Sequence, residues 1–362
     1  MKQHAIIPIF ISHRGCPNDC VFCNQRAITA RQGDVTVDDV KNTIETWLTT
    51  LKNRSIKTIE VAFFGGSFTG IPLEEQQAFL NVAKEYKQRG KIQKIHLSTR
   101  PDYIDESILN HLKSYTVDVI ELGVQSLDDE VLRLSGRGHD SKIVYRSSQL
   151  IQDFGFTLGI QLMIGLPGDT PQKDIYSAKE TVKIAPQIAR LYPTVVIKDT
   201  NLYTQYQSGT YLPLTEKDAV MRTKAMYQIL DQAGIRIIRV GLKSSDLIST
   251  QQNPNGQIAA NTFHPAFRQL VEGEIAREAI EAQIHDLFPG LDKDPTQNPA
   301  PCPSVLFISN EKSWNQLFGH KGCNRNYFAN KYPSLNIRYV KDTDAGFNLK
   351  DHQYLVLDQS EK

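Results

Sequence analysis

Three thiols fall within one short stretch, Gly15-Cys16-Pro17-Asn18-Asp19-Cys20-Val21-Phe22-Cys23-Asn24, spaced C-x₃-C-x₂-C. The loops between them are short enough for Cys16, Cys20 and Cys23 to curl around one metal centre. Three thiolates are one too few for a closed Cys₄ iron–sulfur or zinc site. The pattern therefore points to a cluster with one iron left open to an outside ligand. Two plainer uses stay open on these residues alone. The thiols could hold zinc with His13 as fourth ligand, or stand as ordinary reduced cysteines.

The rest of the chain bounds where such a loop can sit. At 362 residues it exceeds the usual single domain, so a large domain with a smaller companion is expected. Forty per cent apolar residues suffice for a substantial core, and a net charge of +1 leaves no global electrostatic footprint for nucleic acid or an anionic membrane. No apolar run reaches membrane-spanning length; Ile6 to Ile11 is short, contains Pro8, and reads as a buried strand feeding the cysteine loop. Five cysteines, three of them clustered, suit metal ligation in a reducing compartment better than a disulfide framework, so a cytoplasmic location is expected.

After the loop, apolar runs of strand length alternate with stretches of helical period. Strands are predicted at Thr58–Phe64, Lys94–Thr99, Val117–Val124, 157–164, Ile188–Ile197 and Ile235–Val240, with helices between them. Such alternation argues for right-handed βα units and a parallel sheet curving towards a barrel. The polar segment 244–262 marks the expected boundary between a barrel over 1–243 and an extension over 244–362. That extension reads as a helix at Phe267–Phe288, a proline-rich linker, and a small α/β unit with strands at Ser304–Ser309, Leu335–Val340 and Tyr354–Leu357.

In parallel barrels, ligands are gripped at the C-terminal ends of the strands. Phe64-Gly65-Gly66-Ser67 ends the second predicted strand, and by itself is a tight strand-to-helix turn. Taken with the cysteine loop, it resembles the signature of the radical S-adenosylmethionine (SAM) superfamily, C-x₃-C-x-aromatic-C followed by a Gly-Gly motif. The resemblance implies an α/β fold, a partial (β/α)₆ TIM-like barrel open on one side. It implies a [4Fe–4S] cluster on Cys16, Cys20 and Cys23, whose open iron chelates SAM, with Phe22 beside the adenine and the Gly65-Gly66-Ser67 backbone at the methionine amino group. It also implies an enzyme: reductive cleavage of SAM to a deoxyadenosyl radical that abstracts hydrogen from a substrate, with electrons from a donor such as flavodoxin or ferredoxin.

Within that superfamily, Glu121-Leu122-Gly123-Val124-Gln125-Ser126-Leu127-Asp128 through Arg137-Gly138-His139 resembles the branch of the elongator catalytic subunit, which modifies wobble uridines of transfer RNA. Thr99 to Tyr103, Leu191 to Lys198 and Thr200 to Tyr211 share that resemblance. Carried over by position, Gln125 meets the ribose or methionine portion of SAM, and Arg137 pairs with the methionine carboxylate. Ser98 and Gln161 fall where relatives place acidic ribose ligands and depart from that pattern. Outside the family context, Arg137 reads as a surface arginine near Asp140. The segment Ile164-Gly165-Leu166-Pro167-Gly168 is closer to the oxygen-independent coproporphyrinogen oxidase branch. A tetrapyrrole enzyme or carrier, and a non-catalytic metal-binding protein, are therefore the alternative readings.

Tyr203, Tyr206 and Tyr211 could line the barrel mouth or pack as a surface loop. No acetyl-coenzyme-A loop of the elongator type is expected. Segment 311–331 carries Lys312, Lys321, Arg325 and Lys331 against Glu311, interleaved with Trp314, Phe318, Tyr327 and Phe328. It reads either as an RNA-contacting surface presenting Lys321 and Arg325, or as a solvated face over a small core of its own. Cys302 and Cys323 read as plain thiols.

Overall fold

The computed structural model describes residues 3–11, 15–16, 20–24, 33–244, 248, 256–260, 263–289, 291, 303–342, 349 and 354–359. His13, Cys302 and most of the expected 253–256 turn lie outside the described residues. The chain forms two compact units, Met1–Pro265 and Ala266–Lys362.

The first unit is a seven-stranded half-barrel. Strands β1 (His4–Ile11), β2 (Thr58–Gly65), β3 (Lys94–Thr99), β4 (Val119–Gln125), β5 (Thr157–Ile164), β6 (Ile188–Pro193) and β7 (Arg236–Val240) pair in that order, every pair parallel. A parallel ladder needs a crossover between neighbours, and the helices between strands supply it. Their starts are set by side chains that accept from otherwise unpaired amides. Asp105, Asp128, Asp140, Thr170, Thr200 and Thr215 each cap a helix in this way, and Thr36 and Asp39 form a reciprocal capping box.

The two faces of the sheet differ in composition. On β1, buried Ala5, Ile7, Ile9 and Ile11 alternate with half-buried His4, Ile6, Pro8 and Phe10. On β2 and β3, Val61, Phe63, Ile95 and Leu97 are buried, and Phe63 meets Phe68 at a tilt and stacks with Phe79 of the neighbouring helical turns. The helix-covered face is thus a conventional apolar layer, while the alternate residues look onto the opposite, concave face, where buried Glu60, His96 and Glu121 replace apolar side chains.

The predicted strands are present, with one shorter than expected. β6 stops at Pro193 rather than Ile197, because proline has no amide to donate to the ladder. Beyond it, Ile197 makes an isolated antiparallel bridge to Ile258. Two short helices were not anticipated, Asp129–Leu134 and Asn201–Gln207. The second carries Tyr203 and Tyr206, which were expected in a loop.

In the second unit, helix Phe267–Leu287 packs on a three-stranded sheet ordered β10 (Tyr354–Asp358), β8 (Ser304–Ser309), β9 (Asn336–Lys341). Ile280, Ile284, Phe307, Leu317, Phe328 and Tyr332 close its core. Trp314, Phe318 and Tyr327 pack against that core rather than standing free, while Lys321 and Arg325 are exposed. No helix among the described residues is long and apolar enough to cross a membrane.

Candidate active site

The cysteine loop is held from two sides. At its start, Gly15 takes φ +72° and lies against the loop after β2 so closely that a Cβ on Gly15 would collide with the Ser67 carbonyl. A Cβ on Gly70 would strike the Gly15 carbonyl in turn. At its end, Val21 N donates to Ser135 O (3.1 Å), Leu202 N to Val21 O (2.7 Å) and Asn24 Nδ2 to Lys198 O (3.3 Å). Val21 is buried with Val196, Leu202, Tyr211 and Ala260, and Phe22, Tyr203 and Tyr206 pack around this cluster. The three tyrosines therefore sit with the cysteine loop, not on a remote surface.

Cys20 is buried, Cys23 half-buried and Cys16 exposed, and Cys23 N donates to Cys20 O at 2.9 Å. Among the described residues, no three Cys, His, Asp or Glu side chains stand close enough to hold an ion together. The segment 17–19 between the first two thiols lies outside the description.

A buried chain of arginines meets the thiols. Arg100 grips Asp102 with two bonds, Nε to Oδ1 and Nη2 to Oδ2, both 2.9 Å, and Nη2 also donates to Arg137 O (2.5 Å). Arg137 then reaches Cys20 Sγ through Nη1 at 3.1 Å and Gly123 O through Nη2. Both arginines are buried, at 3% and 5% exposure, which removes the surface-arginine reading of Arg137. Although the Cys16 residue is exposed at the surface, desolvation at its thiol pushes it up, and Arg100 and Arg137 pull it back towards the thiolate that binds metal. Arg100 Nη1 is buried with no partner among the described residues. An unpaired guanidinium N–H beside a thiol pair suits an anionic cluster and a carboxylate ligand. The donor set therefore fits a [4Fe–4S] cluster and SAM.

Most other expected site residues gather here, in differing states. Gly65 adopts φ +108°, a conformation that favours glycine. Gly66 follows half-buried. Ser67 is fully buried, its Oγ 2.7 Å from Thr99 Oγ1 and accepting from Arg100 N at 3.2 Å, so its hydroxyl braces the site. Gln125 has φ +74°, at a register irregularity that ends β4, and accepts from Gln161 Nε2 at 3.1 Å. Left-handed backbone at a non-glycine residue is characteristically retained at binding sites. Gly123 leaves the space for this crowding: a Cβ there would lie 3.1 Å from Gln125 Nε2. Ser98 Oγ donates to Phe63 O at 3.4 Å, on the concave face below.

Arg100 was missed as a site residue, although its Arg-Pro-Asp context already marks a fork next to a carboxylate. A second missed set lies on the concave face. Glu60 bonds His96 Nδ1 (2.5 Å) and His4 Nε2 (3.1 Å), and His96 Nε2 lies 3.8 Å from Glu121 Oε2. Glu121 pairs with Arg190 Nε at 2.6 Å, and Arg190 lies 4.4 Å over the Phe64 ring. Burial raises the Glu60 carboxyl, but the two histidines outweigh it and bring it down to about 2. Burial likewise disfavours the Arg190 charge, and the Glu121 carboxylate more than restores it.

A seven-stranded parallel half-barrel with a three-cysteine loop at its mouth defines a class, and comparison with known proteins agrees with it. Residues 10–178 match the Radical SAM superfamily model and residues 186–277 the Radical_SAM C-terminal domain model. The chain belongs to the radical SAM superfamily, a superfamily of enzymes. It is 31% identical over 182 residues to a tRNA uridine(34) acetyltransferase of Methanocaldococcus infernus, covering 45% of this chain and 34% of that protein. It is 32% identical over 186 residues to human Elongator complex protein 3, covering 46% and 34%. The chain thus spans about a third of the length of these curated relatives. Among solved structures, archaeal Elp3 from Methanocaldococcus infernus superposes with a TM-score of 0.63 at 21% identity, over 79% of this chain and 66% of that one, a likeness of fold.

Proposed function

We propose that this chain holds a [4Fe–4S] cluster on Cys16, Cys20 and Cys23, cleaves SAM, and modifies transfer RNA. The observation that carries the reading is the contact of buried Arg137 with Cys20, 3.1 Å, at the end of the Asp102–Arg100–Arg137 chain. It sets fixed positive charge beside the thiols, where a cluster and a methionine carboxylate bring negative charge. Once bound, the cluster and SAM supply one-electron reduction, carbon–sulfur cleavage and hydrogen-atom abstraction. The chain's own residues do the rest. Arg100 offers its unpaired Nη1 to the carboxylate, and the Gly65-Gly66-Ser67 backbone receives the amino group. Gln125 and Gln161, tied to each other, stand at the ribose with Ser98, and Phe22 flanks the adenine while the Val21–Tyr211 cluster keeps water out.

Transfer RNA enters as substrate from the relatives named tRNA uridine(34) acetyltransferase. Lys321 and Arg325 supply exposed positive charge for its backbone, and a flavodoxin or ferredoxin supplies electrons. Residues 1–243 are the catalytic barrel in this reading, 244–362 the extension. The coproporphyrinogen-like Ile164–Gly168 segment has a local explanation: Gly165 receives Leu214 against its α-carbon and its carbonyl accepts from Tyr211 Oη at 2.7 Å.

The test is anaerobic. Reconstituted protein is expected to release deoxyadenosine under a strong reductant, faster with unmodified transfer RNA present. Arg100→Ala and Arg137→Ala are expected to weaken SAM binding while iron content is kept. Holo-protein that never cleaves SAM, with or without RNA, overturns the reading.

A further inference from the structure

Parallel barrels usually fill their interior with layers of branched apolar side chains. Here the concave face carries charge instead, and that charge is built rather than incidental. His4, Glu60, His96, Glu121 and Arg190 come from five different strands (β1, β2, β3, β4 and β6) and form one continuous chain of contacts. Glu60, His96 and Glu121 are each at most 4% exposed. Room for Glu121 is left by Gly159 on β5, where a Cβ would lie 3.2 Å from Glu121 Cγ and 2.9 Å from Ile188 Cγ1. A buried ion pair gains little net stability over an apolar replacement, so stability alone does not account for this arrangement.

What the chain of contacts does is hold Arg190. Glu121 Oε2 lies 2.6 Å from Nε, Tyr192 Oη lies 3.3 Å from Nη1, and the guanidinium carbon stands 4.4 Å over the Phe64 ring centre. The side chain keeps 12% exposure, so the guanidinium is not wholly enclosed. Arg190 is also the register partner of Gln161, which bonds Gln125, so it stands one strand away from the proposed ribose position. A rigid guanidinium stacked on an aromatic ring presents donors in a plane, a match for carbonyl oxygens at the edge of a flat heterocycle. We infer that Arg190, stacked on Phe64 and fixed by Glu121, binds the carbonyl edge of the substrate nucleobase on the concave face, with His96 and Glu60 as positioning residues. The inference rests on the RNA reading above and adds to it the residues that receive the base.

The experiment uses the full chain and a transfer RNA transcript carrying 5-bromouridine in place of uridine, a photoreactive base that keeps both carbonyls. After near-ultraviolet irradiation, crosslinked peptides are identified by mass spectrometry, and binding is measured in parallel by filter retention. Crosslinks to peptides containing Phe64, Gln161 or Tyr192 are expected in the wild type, which needs no variant to fold. Arg190→Lys, which keeps charge but loses the planar fork, is expected to lower those crosslinks about tenfold while overall retention changes less than about twofold, since phosphate contacts dominate it. Gly159→Ala, which crowds Glu121, is expected to lower them without touching Arg190 itself. Retained RNA that crosslinks only elsewhere overturns the assignment and leaves the RNA reading standing. RNA that is not retained at all overturns both.

Discussion

The concave face of the barrel and the second unit both set cations against aromatic rings, and they do so for opposite ends. In the barrel, Arg190 over Phe64 is held by the buried Glu121 carboxylate and keeps 12% exposure. In the second unit, Arg277 lies 4.5 Å and Lys331 5.7 Å from the Tyr327 ring, Lys341 5.6 Å from Trp314, and Tyr327 Oη and Lys331 share Glu281. Those rings continue inward to Phe307 and Phe328, at ring spacings of 5.0–5.5 Å. There the aromatic residues are wall and core, and the cations cover them. The cations over these rings therefore have a structural use, and the proposed RNA contact in this unit falls to the exposed Lys321 and Arg325, which stand over none of them.

The comparison can be broken most directly by removing one anchor from each region. Glu121→Ala leaves Arg190 buried without its carboxylate and is expected to cost about 3–5 kcal/mol, with Glu121→Gln costing less. Phe328→Ala opens a cavity in the second core and is expected to cost about 3–5 kcal/mol. Denaturant unfolding checks both. Only the barrel change is expected to alter RNA crosslinking.

The next effect is a pH dependence. The Glu60 carboxyl is held at about 2 in the fold, below its ordinary value near 4.5. A depressed carboxyl contributes stability that is present above its unfolded value and is lost as pH falls through the folded one. Glu60 is therefore expected to contribute roughly 3 kcal/mol at neutral pH, disappearing between about pH 5 and pH 2. Glu60→Gln should flatten that part of an acid-unfolding curve; an unchanged curve would show that the two histidines do not hold it.

The smallest effects belong to the exposed charges. Lys341→Ala, uncovering Trp314, is expected to cost about 0.5–1 kcal/mol. Lys321→Ala and Arg325→Ala are each expected to lower the salt slope of RNA retention by somewhat under one unit, if each side chain reaches a phosphate. Neither substitution is expected to affect iron content.

Much of this was readable before the structure. The βα alternation, the cysteine loop and the glycines after β2 are local patterns, and local periodicity is what sequence exposes most directly. The buried Arg137 needed the family resemblance, because a lone arginine near Asp140 looks like surface. The concave-face set was not legible. Glu60, His96, Glu121 and Arg190 each interrupt an apolar strand singly, and only strand register brings them together. The short helices Asp129–Leu134 and Asn201–Gln207 escaped because their capping residues, Asp128 and Thr200, were the main signal in stretches too brief to show a period. The rings of 311–331 were correctly open to a core role, which the packing of Phe328 and Tyr327 now fills.

The central claim is the cluster, and its metal content tests it most directly. Anaerobic reconstitution with iron and sulfide, followed by metal and sulfide analysis, is expected to give about four irons and four sulfides per chain. Cys16→Ala, Cys20→Ala and Cys23→Ala should each lose them, while Cys302→Ala and Cys323→Ala should not. Stoichiometric zinc without iron, or iron kept by all three loop variants, would contradict the account.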